Sequence, residues 1–227
     1  MPGRRGLAAL FAFFAAMLAF GAAAASANHL AVELVAKGPV APGGTTELAV
    51  VMTPEKGWHG YWSNPGDAGY GMELDWSLPP GWKAGEPEYP VPQTLLISGL
   101  MNHVFEGPYA VLVPLSVPAD AVEGSTIPVT IAANWLVCTR ELCVPERGTL
   151  ATTVTVGSLG ATEPRFDAWR AAIPPLIDSA SHFALKHKSL RIGIPIPASL
   201  DIAAPHLFLS NTGLIDYAAP QTFRRDG

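Results

Sequence analysis

The sequence predicts an all-β protein: an immunoglobulin-like β-sandwich, followed by a short helix and an incomplete second β unit. Three observations predict it. Short apolar segments alternate with polar residues at a period of two, the spacing of half-buried antiparallel strands. Gly and Pro, 22 of each among 227 residues, punctuate these segments throughout. Only after Gly157 does the spacing change to that of a helix.

The first 27 residues stand apart from the fold. Arg4 and Arg5 lead an apolar run, "LAALFAFFAAMLAFGAAAA", and Ala25-Ser26-Ala27 has the small-x-small form that signal peptidase reads. Residues 1–27 are therefore expected to be a signal peptide cleaved after Ala27, with export to a bacterial periplasm. Lys and Arg number 14 against 19 Asp and Glu, a net charge of −5 that deepens once Arg4 and Arg5 are lost. With no basic stripe, no nucleic-acid partner is expected. No second apolar run reaches the ~18 residues of a membrane span.

The sandwich is expected over residues 28–158. "HLAVELVA" (29–36) and "TELAVVMT" (46–53) open it. "MELDWSL" (72–78) is the clearest strand, with Met72, Leu74, Trp76 and Leu78 on one face, and "PPGW" turns the chain after it. Trp76 and Trp82 are expected in the core. "YAVLVPLSV" (109–117) puts Tyr109, Val111, Val113, Leu115 and Val117 on one face. Pro114, which has no N–H for a ladder bond, implies an edge or a bulge there. "IPVTIAANWLVC" (127–138) and "TLATTVTV" (149–156) complete six strands. In "NPGDAGYG" a turn is expected, with Asp67 bonded to its own backbone.

Residues 159–180 read as a linker helix: Thr162 is the expected cap, Pro164 lies in the first turn, Phe166, Trp169 and Ile173 share a stripe, and Pro174-Pro175 ends it. Residues 181–227 read as strands of a second unit, in "FALKHKSLRIGIPIPASL" and "HLFLSNTGLIDYAAPQTF". That stretch is too short to close a core of its own, so it is expected to be cut from something longer.

Chemistry concentrates in "ANWLVCTRELCVPERGTL" (133–150), which holds both cysteines, Cys138 and Cys143. In an oxidising compartment two thiols within reach pair by default. As a staple the bridge closes a short loop and contributes only roughly 2 kcal/mol. A metal clip would need a second ligand pair at short spacing, which the six histidines do not form near the cysteines in the sequence, and no cofactor is called for. Copper(I) would need a methionine such as Met52, Met72 or Met101 brought in from elsewhere. An exchangeable redox couple is the sharper reading, although the spacing is not that of the thioredoxin Cys-x-x-Cys motif. Spacing alone leaves staple and redox pair both open.

"WLVCTRELCVPERGTL" resembles the N-terminal periplasmic domain of DsbD, the thiol:disulfide interchange protein, and more closely that of the ScsB-type proteins of copper-tolerance operons. "GWHGYWSNPGDAGYGMELDWSLPPGW" and "LMNHVFEGPYAVLVPL" are similar to segments of the same family, in the same order. The resemblance implies a sandwich whose hairpin cysteines receive electrons from a membrane domain and pass them to periplasmic proteins of thioredoxin fold. Cys143 would then be the attacking thiol and Cys138 the resolving one. His103 and Phe105 would belong to an aromatic cap, and Tyr61 and Trp62 would line the pocket. The membrane domain that would supply electrons has no counterpart before Gly227. The rival class is a non-catalytic Ig-like binding or assembly module with a permanent hairpin disulfide.

Overall fold

The structure is a computed structural model that describes residues 28–177, 179–197, 199–200 and 202–225. The expected leader lies outside the described residues. The strands are β1 (Leu30–Ala36), β2 (Thr45–Pro54), β3 (Gly60–Gly66), β4 (Glu73–Ser77), β5 (Lys83–Ala84) and β6 (Gln93–Ile97). They continue as β7 (Leu100–Phe105), β8 (Tyr109–Ser116), β9 (Thr126–Cys138) and β10 (Cys143–Thr155). Helix α1 (Arg165–Ala172) and a hairpin of β11 (His182–Lys186) and β12 (Ser189–Gly193) follow.

Two sheets, ordered β1-β2-β8-β5 and β10-β9-β4, enclose the main core, giving the immunoglobulin-like sandwich that the strand pattern predicts. Period-two alternation decides which residues enter it. Leu48, Val50 and Met52 of β2 pack with Ile131, Trp135 and Val137 of β9, each burial contributing roughly 1.5–3 kcal/mol. Trp82 joins this core, and Trp76 packs against it.

The other face of the β1-β2-β8 sheet is not left to water. Val35, Ala49, Ala110 and Leu112 form a second apolar layer beneath Phe166, with Trp169 and Ile173 at its margin. The predicted linker helix is therefore docked. The small side chains of Ala49 and Ala110 let it approach. Ion pairs hold its flanks: Arg170 bonds Glu47 and Glu88, and Arg165 meets Glu33 at 3.2 Å. Thr162 does not cap the helix. Pro164 occupies the N-cap position, and the Glu163 carboxylate accepts from the Arg165 N–H.

Pro114 is placed differently from the edge or bulge expected of it. Strand β8 lies between β2 and the two-residue β5. The N–H groups of its even-numbered residues point away from β2: Leu112 exchanges bonds with Glu88, and the Pro114 carbonyl accepts from Gly85. The missing donor thus costs a bond only to the abbreviated neighbour, while the β2 ladder runs on uninterrupted.

A third sheet, β3-β7-β6, leans over the end of the β9-β10 hairpin. Its β3 bulges between Tyr61 and Gly66. In that bulge Asn64, not Asp67, makes the local side-chain turn, accepting from the Gly66 N–H at 3.1 Å. Asp67 instead clasps Met101, its N–H and carboxylate both bonded to the Met101 backbone. The 206–223 stretch, read as strands, forms none. It runs irregularly back onto β3 and β7, where the buried Asn64 amide donates to the carbonyls of Leu209 and Asn211.

Candidate functional site: the hairpin disulfide

Strands β9 and β10 pair without interruption from Thr126↔Thr155 to Cys138↔Cys143, so the two cysteines face each other at the tip. The turn between them is made by its own sequence. Thr139 N–H donates to the Leu142 carbonyl at 2.8 Å, and the Thr139 hydroxyl accepts from the N–H groups of Glu141 and Leu142. On its other side Cys138 exchanges both backbone bonds with His59, at 2.8 and 3.1 Å. Its N–H and carbonyl therefore point away from Cys143, which makes the cysteines a non-hydrogen-bonded pair, the closer of the two antiparallel kinds. Their Cα atoms stand 4.1 Å apart, and a disulfide joins them.

Directly opposed residues of neighbouring antiparallel strands project to the same face. His59, which pairs with Cys138 as an isolated bridge just before β3, thus forms one row with Cys138 and Cys143, on the side turned away from the main core. Tyr61, two residues beyond His59, joins this face and donates its hydroxyl to Cys138 Sγ at 3.2 Å. Burial pushes the Tyr61 phenol upward, so it stays protonated and remains a donor. The rings of His59 and Tyr61 meet edge to face with centroids 5.4 Å apart. Gly69, at φ +92°, makes room for Tyr61: a Cβ there would stand 2.5 Å from the ring.

The two sulfurs differ in access. Cys138 is 1% exposed, in a cluster with Tyr61, Leu95, Val104 and Leu136, whereas Cys143 is exposed. Its neighbours in the turn, Arg140 and Glu141, are exposed as well.

Of the residues singled out in the sequence, the fold brings Cys138, Cys143 and Tyr61 together. Trp62 points to the opposite face of β3, where its ring meets those of His103 and Phe208, each at 5.9 Å. His103 donates from Nδ1 to the Asn64 carbonyl at 2.9 Å and packs edge-on against Phe208 and Tyr217. Burial lowers its imidazole pKa, although the bond to Asn64 works the other way. Phe105 stacks on Tyr109 at 4.0 Å in the main core. The apolar cover over Cys138 comes instead from Leu95 and Val104.

His59 escaped the sequence reading. It is 2% exposed, and its Nε2 has no hydrogen-bond partner. Burial holds its pKa below the ordinary histidine value, Glu106 pulls it up, and Arg140 pushes it down. The signal was present in "WHGYW": residues 59 and 61 share a parity, so whatever face Tyr61 takes in a strand, His59 takes too.

The family described as "Thiol:disulfide interchange protein DsbD, N-terminal" matches residues 27–155, more than half of the chain. The chain belongs to this DsbD N-terminal family. Among solved structures, the N-terminal periplasmic domain of ScsB from Proteus mirabilis superposes with a TM-score of 0.54 at 16% identity. The match covers 73% of this chain and 64% of that one, so the chain spans less than two thirds of that structure. The reduced N-terminal domain of DsbD from Neisseria meningitidis matches at a TM-score of 0.34 and 11% identity, covering 56% of this chain and 86% of its own. BcpA, the major pilin subunit of Bacillus cereus, gives a TM-score of 0.35 at 10% identity over 56% of this chain and 40% of its own. No curated protein matches the chain.

Proposed function

We propose that the protein is exported to the periplasm, where it passes reducing equivalents through Cys138 and Cys143 to the disulfide of a thioredoxin-fold partner. The observation that carries this reading is the asymmetry of the bridge: one sulfur exposed at a hairpin tip, the other sealed under Tyr61, Leu95 and Val104. Only an accessible sulfur can meet a second protein, and only a sheltered one is kept from competing for it.

In the reduced state the Cys143 thiolate attacks the partner disulfide. A mixed disulfide forms on Cys143, and one partner thiolate leaves. Cys138 then loses its proton and attacks Cys143 Sγ, which re-forms the Cys138–Cys143 bond and releases the second partner thiolate. The partner gains two electrons, and this domain loses two. Return to the dithiol needs an electron donor, which the family resemblance assigns to a membrane domain.

The roles predict an asymmetric trapping result. Cys138→Ser, offered an oxidised thioredoxin-fold protein, accumulates the mixed disulfide on Cys143, visible as a reductant-sensitive band on a gel. Cys143→Ser accumulates none. Equal trapping by both variants contradicts the assignment.

A further inference from the structure

The exchange cycle leaves one question of proton balance. Cys138 must lose a proton before it can close the bridge, yet it lies where a free thiolate is disfavoured by burial. Tyr61 cannot accept that proton, because its hydroxyl is the donor in the bond to Cys138 Sγ and burial keeps the phenol protonated. His59 is a buried polar side chain that shares this face with Cys138 and meets the Tyr61 ring edge to face. It is paired to Cys138 by two backbone hydrogen bonds and projects to the same face. It carries the sole buried, unpartnered side-chain nitrogen or oxygen among the described residues. A buried polar atom without a partner costs on the order of 1–3 kcal/mol, a burden with no return to a domain that needs only a core.

We propose that His59 is the proton acceptor of the resolving step, taking the Cys138 proton when the bridge closes and returning it when the bridge opens. This rests on the exchange reading above. The step balances: Cys138 thiol, the Cys143–partner disulfide and neutral His59 give the Cys138–Cys143 disulfide, a partner thiolate and imidazolium. The groups around the imidazole suit a transient charge. Glu106, before β8, favours the imidazolium, Arg140 in the hairpin turn opposes it, and Tyr61 lies edge-on beside it. Burial keeps the resting ring neutral near pH 7, ready to accept.

The test uses the reduced exported chain, residues 28–227, and the aromatic disulfide dithiobis(nitrobenzoate). Attack by Cys143 releases one coloured thiolate, and closure by Cys138 releases a second, so the two phases separate the two chemical steps. In the wild type the second phase is expected to fall in acid with the titration of an imidazole shifted below its ordinary range. In His59→Gln it slows by roughly 10²-fold relative to the first phase and follows thiol ionisation alone. An unchanged phase ratio and pH profile in His59→Gln overturns the proposal. So does a wild-type second phase that tracks only an alkaline thiol ionisation, whether or not the variant folds. A wild type that releases one thiolate and never the second overturns the exchange reading itself, which distinguishes the two failures.

Discussion

Tyr61 and Trp62 are neighbours in the chain, yet strand alternation sends the first to the Cys138 sulfur and the second to Phe208. The aromatic cluster was legible in the sequence, but which half of it faces the disulfide was not, because that depends on the side from which β3 meets β9. The same ambiguity affects β7, where Val104 covers Cys138 while His103 and Phe105, one residue to either side, serve other contacts. The Tyr61 hydroxyl has a measurable duty. It donates to the Cys138 sulfur of the disulfide, and once the bridge is reduced the same hydroxyl is expected to donate to the Cys138 thiolate, a hydrogen bond to a charged acceptor being worth about 1.5–3 kcal/mol. Tyr61→Phe should therefore raise the Cys138 thiol pKa by on the order of one unit or more, read from thiolate absorbance against pH. The sign is that of a lost stabiliser of the anion. A Cys138 titration indifferent to Tyr61→Phe contradicts this role.

At the scale of elements, the period-two strands were plain because each has one face in the core. Helix α1 was also legible as a helix, from the stripe of Phe166, Trp169 and Ile173. Its seat was not, since that is built from Ala49 and Ala110, small residues that mark no surface until two strands are side by side. Phe166 is 1% exposed and anchors the helix to the outer face of the sheet. Phe166→Ala should cost about 3–5 kcal/mol in urea unfolding, with a single transition shifted to lower denaturant. A loss below about 1 kcal/mol would mean that the helix is no part of the cooperative unit. The 206–223 stretch misled because its short apolar runs, Leu207-Phe208-Leu209 and Leu214-Ile215, flank an Asn-Thr-Gly turn signal as two strands would. Phe208 and Tyr217 instead find partners in Trp62 and His103, so ring packing rather than a ladder satisfies them.

For the whole molecule, three layers converge on one hairpin tip. The sandwich holds β9 rigid through Trp135 and Val137, the β3-β7-β6 sheet roofs Cys138, and the C-terminal segment braces that sheet from behind at Asn64 and His103. Such an arrangement keeps one sulfur sheltered and presents the other, and the exchange account depends on that division holding in solution. The reduction potential of the Cys138–Cys143 pair, measured by thiol trapping of residues 28–227 across a series of redox buffers, tests it most directly. The account predicts a potential well above about −300 mV, with the bond opening in mild reductant while the domain stays folded. A potential below about −300 mV, with the bond closed to mild reductant, would contradict it and mark the bridge as a permanent staple.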